Sequence, residues 1–168
     1  FAAITNELVN AFEPGDLRKS HWLKPITDGT TTWYHSYKYK EQTSTGTTME
    51  CSIILRLSEQ YLIRAEARAK QGFLSGAKND LDVIRNLAGL PNTTAVSQQD
   101  IRAAILQERR VEFFTEGGHR FFDLKRTNLL DSMLGTTKPG WNSTDALLPL
   151  PESELLLNPN LLPQNPGY

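Results

Sequence analysis

Apolar and polar positions change their spacing several times along the chain, and each change marks an element. Residues 4–12 carry Ile4, Leu8, Val9, Ala11 and Phe12 at helical spacing, and Glu13-Pro14-Gly15-Asp16 ends the pattern as a turn. Residues 31–40 alternate instead. Trp33, His35, Tyr37 and Tyr39 fall on one face of a strand, and Tyr34, Ser36, Lys38 and Lys40 on the other. This pattern makes Trp33 a candidate for the core and Tyr34, beside lysines, the more exposed ring. Gln42 to Thr48 is polar or glycine throughout and reads as a mobile loop.

From Leu55 the period becomes helical. Leu55, Ser58, Leu62, Ala65 and Ala69 form a stripe that Leu57 and Tyr61 widen, and Gly72 stands where a helix would end. Ser75 is placed to cap a second helix with the stripe Ala77, Leu81, Ile84 and Ala88, ended by Gly89-Leu90-Pro91. The result is a helical hairpin. Tyr61, Ala65, Gly72, Ala77 and Leu81 lie near the small and aromatic positions of a tetratricopeptide-type unit. A lone unit cannot bury both its faces, so it must pack on other helices.

Ser97-Gln98-Gln99-Asp100 resembles a capping box and opens a third helix, with Ile101, Ala104 and Ile105 starting its stripe and Gly117-Gly118 ending it. After residue 127 the chain reads as irregular, with one short helix at Leu129, Leu130 and Leu134. The tail from Leu147 to Tyr168 holds prolines 149, 151, 159, 163 and 166, which excludes continuous helix or central strand. The fold class is therefore mainly α: helical hairpins, a short β or extended segment near 31–40, and an irregular proline-rich C-terminal tail along the body.

The 18 Lys and Arg nearly cancel the 19 Asp and Glu across 168 residues, which argues against a nucleic-acid partner. The one cysteine, Cys51, excludes an internal disulfide and a cysteine-based zinc site. No run approaches the ~18 apolar residues of a membrane-spanning helix.

Segment 108–126 concentrates ionisable residues and phenylalanines. Glu116-x-x-His119 has the spacing used in di-iron helical bundles, but the glycine pair before His119 and the lack of a second such motif weigh against a metal site. The simpler reading is a structural charge network in which Arg109, Arg110, Arg120 and Arg126 pair with Glu108, Glu112, Glu116 and Asp123 under a cover of phenylalanine. No nucleophile motif and no phosphate loop is present, so catalytic residues, metal and cofactor are all expected to be none. Trp22, Trp33, Tyr34 and Trp141 are the candidates for a glycan platform, because flat rings stack on the C–H faces of sugars. Packing within the body is the competing reading for each. Trp141 sits among Gly, Asn, Ser and Thr, a loop composition that favours exposure.

Three blocks carry a resemblance. The first is Leu55-Arg56-Leu57-Ser58-Glu59-Gln60-Tyr61-Leu62-Ile63-Arg64-Ala65-Glu66-Ala67. The second is Glu108-Arg109-Arg110-Val111-Glu112 with Glu116-Gly117-Gly118-His119-Arg120-Phe121-Phe122-Asp123-Leu124-Lys125-Arg126. The third is Leu148-Pro149-Leu150-Pro151 with Glu154, Asn158-Pro159 and Gln164-Asn165-Pro166-Gly167-Tyr168. In that order they resemble the C-terminal part of the SusD/RagB family, and Gly15-Asp16-Leu17-Arg18 and Lys38-Tyr39-Lys40 fit the approach to its first helical block.

The resemblance implies a SusD-like fold, with residues 1–168 as a C-terminal domain from a longer chain whose N-terminal part and lipid anchor are absent. It implies non-enzymatic capture of a glycan or other nutrient at the outer membrane of Bacteroidetes. The protein would be exposed at the cell surface, and ligand would be delivered to a SusC-like TonB-dependent transporter. Membrane association would come only through the N-terminal lipid anchor. The alternative is a helical-repeat scaffold whose partner is a protein, and the mixed-charge face of the first hairpin helix (Arg56, Glu59, Arg64, Glu66, Arg68, Lys70) is either solvated or a docking surface. A hydrolase with paired carboxylates is disfavoured, because acids among arginines stay ionised. As part of a longer chain, the hairpin should expose an apolar patch.

Overall fold

The computed structural model describes residues 2–41, 46, 47, 50, 51 and 53–168. The expected loop at Gln42–Thr48 lies largely outside these residues. Backbone contacts divide the chain into two units, Phe1–His119 and Arg120–Tyr168.

The first unit opens with β1 (Ala3–Ile4) and α1 (Asn6–Val9). The predicted helix over 4–12 is thus cut short. Thr5 is its N-cap, with the side chain accepting from Leu8 N, and Ile4 pairs with Tyr34 in a sheet instead. α2 (Leu17–Trp22) follows, capped by Asp16, and runs directly into β2 (Leu23–Thr27) and β3 (Thr32–Ser36). The antiparallel sheet has the order β1-β3-β2. Its body-facing side joins a small apolar cluster of Val9, Phe12, Leu23, Val111 and Phe114.

α3 (Leu57–Lys70) and α4 (Leu74–Leu87) form the predicted hairpin. Gly72 takes φ +80°, and the amides of Gly72 and Phe73 bond back to the carbonyls of Ala69 and Arg68. This is the left-handed helix stop for which glycine is suited. α4 starts at Leu74 with Phe73 at the cap, so Ser75 lies inside the first turn and does not cap it. α5 (Gln98–Glu112) is capped by Ser97, whose Oγ accepts from Asp100 N at 3.0 Å. It ends at Glu112, five residues before the glycine pair, and Thr115 already has φ +58°. α5 packs on both hairpin helices, and Leu62, Ala65, Ala69, Leu81, Ile101 and Ile105 lie at the centre of this core. The apolar residues before and on α3 differ from expectation at one end. Leu55 is 81% exposed, because the helix begins only at Leu57 and its buried stripe at Leu62, and Ile53, Ile54, Leu57 and Ile63 are exposed with it.

The second unit contains most of α6 (His119–Arg126), then α7 (Leu130–Thr137) and α8 (Glu152–Leu157) with short 3-10 turns at Ser143–Ala146 and Pro159–Leu161. Gln164 holds the Leu148-to-Pro151 block. Its side-chain amide donates to Leu150 O and its oxygen accepts from Leu150 N, both at 2.8 Å, as a neighbouring strand would. No helix among the described residues is long and apolar enough to cross a membrane.

Candidate functional site

Glu108, Glu112 and Glu116 recur every four residues along α5 and just beyond it, so they rise on one side. Their cations come from outside segment 108–126. Arg18 is gripped by Asp16 through Nε (3.0 Å) and Nη2 (2.8 Å), and reaches Glu108 at 2.6 Å and Glu112 at 2.9 Å. Arg56 bonds Glu112 and Glu116, and Lys38 bonds Glu116 and the Glu112 carbonyl. Arg85 bonds Glu13 at 2.6 Å and comes within 3.5 Å of Glu108. Of the pairs expected inside the segment, the structure gives Arg126 with Asp123 at 2.8 Å. Arg109 lies 3.7 Å from Glu59, on α3. Arg110 donates to the Glu7 carbonyl at 3.2 Å. Arg18, Lys38, Arg56 and Glu13 were not singled out as network members from sequence. Only the four-residue spacing of the glutamates signalled that partners were needed.

Burial sets the electrostatics. It pulls the Lys38 ammonium down to about 8, with Glu116 opposing. It lowers Arg18 too, but the hydrogen bonds that Arg18 donates to Asp16 and the charge of Glu108 outweigh it and leave that guanidinium raised. Burial also pushes Glu108 up, against Arg18.

The four aromatic candidates have four different surroundings. Trp22 is half-buried. Phe114 lies 6.3 Å from its ring, Lys38 Nζ sits 4.7 Å from its centroid, and the Arg56 guanidinium 5.6 Å. A shallow cavity of about 140 Å³ opens beside it, lined by Trp22, Lys38, Tyr39, Ile53, Arg56 and Glu116. Tyr34 is partly buried against the apolar cluster under the sheet, so the expectation of an exposed ring fails. Trp33 is on the opposite side and 45% exposed. Alternation fixed which residues share a face; the apolar partners Ile4 and Leu23 decided which face turned inward. No ring or cation among the described residues packs on Trp33. Trp141, in the second unit, is half-buried and not free: its Nε1 donates to Asp131 at 2.9 Å and Lys138 lies over the ring. Within the first unit, Trp33 and Tyr34 lie on opposite sides of the sheet, so these candidates do not form one platform.

The side of the sheet that holds Trp33 is exposed at Trp33, Ile26 and Lys24 and covered at His35. Register places Ile26 opposite Trp33 and Lys24 opposite His35. Trp33 and Ile26 expose equal fractions of their surfaces, and together they make a flat apolar patch of the kind that binds planar faces of ligands.

Residues 17–168 match the model of the SusD family, and the chain belongs to that family. The SusD-like protein P2 of Formosa agariphila is 34% identical over 113 residues, which cover 64% of this chain and 20% of the relative. The chain thus spans about a fifth of that curated relative. A SusD superfamily protein of Bacteroides vulgatus superposes with a TM-score of 0.80 over 99% of this chain and 44% of its own, at 21% identity. A surface glycan-binding protein A of Bacteroides uniformis superposes with a TM-score of 0.71 over 97% of this chain and 40% of its own, at 22% identity. These two likenesses establish the shared fold, which is mainly helical with a small sheet.

Proposed function

We propose that the chain takes part in capturing a glycan at the outer surface of the outer membrane, and that it does so without catalysis. The observation that carries this reading is Trp33: a ring nearly half exposed, on the central strand of the sheet, with no cation or second ring upon it among the described residues. Sugar C–H faces stack on such a surface, and the indole N–H remains as a polar handle. Family membership supports the same role, as does the fold shared with a protein named for surface glycan binding. The acids of the chain support the absence of catalysis. Glu112 and Glu116 are each committed to a cation, and a general acid needs a proton to give. Delivery to a SusC-like TonB-dependent transporter completes the proposal.

The test is tryptophan fluorescence titrated with soluble glycans, in the chain and in Trp33→Phe. A response that shrinks sharply in the variant supports stacking at Trp33. An unchanged response sends the ligand elsewhere in the chain.

A second reading is favoured by a different surface. Leu57, Gln60, Tyr61, Ile63 and Arg64 line an open groove of about 370 Å³ on α3, next to the exposed Ile53, Ile54 and Leu55. An exposed apolar surface of this kind suits a protein partner. Crosslinking from Ile63→Cys to the cognate transporter tests it, and transport complexes that form without crosslinks at this position argue against it.

A further inference from the structure

We propose that the Trp33 side of the sheet binds an anionic sugar chain, one bearing carboxylate or sulfate groups. This rests on the glycan-capture reading and adds the charge class of the ligand.

The register supplies the geometry. Lys24, Ile26 and Trp33 are exposed on one side of the sheet, and His35 lies buried on that same side. The ladder continues one residue past the strand ends, because Tyr37 N donates to Trp22 O at 2.7 Å. Tyr37 therefore follows His35 on the same side, and its ring meets the imidazole edge-on at 6.2 Å. Lys24 Nζ lies 4.7 Å from the Tyr37 ring centroid and Lys40 Nζ 3.9 Å from it. His35 is 4% exposed and its Nδ1 bonds the Ser36 carbonyl, so the floor under these groups is fixed. The run is Ile26 and Trp33, then Lys24 and His35, then Tyr37 and Lys40. Trp33 and Tyr37 are four residues apart, roughly 13 Å along an extended strand.

The charges are unbalanced. Neither the Lys24 nor the Lys40 ammonium forms an ion pair among the described residues, although the Glu50 carboxylate accepts from the backbone amides of Lys40 and Glu41, at 2.6 and 2.7 Å. Lys40 is held by the carbonyls of His21 and Tyr37, which place the ammonium without neutralising it. Lys38, between them in sequence order, points to the other side and is paired with Glu116. The acids nearest this run are Asp28, Glu41 and Glu50, of which Glu50 caps the Lys40 and Glu41 amides at the Lys40 end and leaves Lys24 as the uncompensated cation. The Asp28 carboxylate is occupied by the Thr30 and Thr31 amides of its own turn, at 2.8 and 2.7 Å. Two ammoniums fixed on one ring, a short step from a free indole, match a ligand with both an apolar face and a negative substituent. An apolar protein surface laid here would desolvate both ammoniums without compensation.

The experiment uses matched probes: oligogalacturonate against its methyl ester, and dextran sulfate against dextran, each titrated by calorimetry at low and high NaCl. The charged member of at least one pair is expected to bind about tenfold tighter, and to weaken as salt rises. Which pair responds distinguishes carboxylate from sulfate. Lys24→Gln should weaken the charged probe about two- to fivefold while Lys24→Arg retains it. Trp33→Ala should weaken it about tenfold. Both positions are exposed, so the circular dichroism of the variants should match the parent. Neutral probes binding as well as charged ones would overturn the charge class and leave glycan capture standing. Charged probes indifferent to both Lys24→Gln and Trp33→Ala would overturn the site. A single-stranded oligothymidylate competing as well as the sugars would show a generic polyanion surface and overturn the proposal. Silence from all four sugar probes would overturn it, and silence from neutral glycan panels as well would remove the capture reading beneath it.

Discussion

Arg18 reaches across 94 residues of sequence to Glu112, with 2.9 Å between Nη1 and Oε2. The contact ties the start of α2 to the end of α5, and both side chains are buried. Truncating one partner of a buried ionic cluster leaves the others uncompensated, at a cost of about 3–5 kcal/mol. Arg18→Ala is expected to lose stability in that range, measured by urea denaturation. Glu13→Ala removes a half-exposed partner of the buried Arg85, which keeps Glu108 and the Pro91 carbonyl, and should cost less, about 1–2 kcal/mol. Equal losses from the two variants would show that the network's burial does not govern its strength.

Lys38 gives a pH signature. Its ammonium is held at about 8 by burial, against an ordinary value of 10.5. A depressed lysine binds its proton less tightly folded than unfolded. Between about pH 8 and 10.5 the unfolded chain therefore carries more protons, and raising pH favours the folded state through this group. The stability difference between the parent and Lys38→Met should shift in favour of the parent from pH 7 to pH 10. A difference that is flat or falls over that interval would contradict the burial argument.

Two tryptophans should separate stability from binding. Trp22 packs on Phe114 and carries Lys38 and Arg56 over its ring, so Trp22→Ala should cost roughly 2–4 kcal/mol. Trp33→Ala should change stability by less than about 0.5 kcal/mol. Thermal unfolding of both variants checks the contrast, and a large loss at Trp33 would mean the ring is packed and not available to a ligand.

Gly72 isolates a backbone effect. It has φ +80° and no neighbouring atom within 4 Å of an added Cβ. Gly72→Ala meets no clash and costs only the left-handed conformation, about 1–2 kcal/mol. Gly72→Asn should recover part of it. If both variants melt with the parent, the loop between α3 and α4 adapts at no cost.

The helices were readable because their signals are local. Gly72 and Gly89 mark stops, Ser97 marks a start, and Leu62, Ala65 and Ala69 repeat at the spacing of a buried stripe. The alternation of 33 to 37 was equally clear. It carried no sign of which side met the body, since both sides held aromatic rings. Ile4 settled that by pairing with Tyr34, a contact 30 residues away that no periodicity reveals. The ion network failed to read for the same reason. Glu108, Glu112 and Glu116 announce a charged stripe, but the identity of their partners depends on chain segments brought in by tertiary folding. Trp141 shows the limit of composition: its loop is polar, yet one hydrogen bond to Asp131 is enough to pin the ring.

Arg56 and Glu112 lie 56 residues apart. A ribosome adding 5–20 residues per second needs about 3–11 s to cover that distance. Throughout that interval Lys38 and Arg56 have been synthesised and the carboxylates of Glu112 and Glu116 have not, while Arg18 has only Asp16. The α3–α4 hairpin, built from neighbours in sequence, can close while they wait. The sheet pairs among residues 3–36, but the apolar cluster beneath it is completed only by Val111 and Phe114, so that cluster closes after α5 has been made.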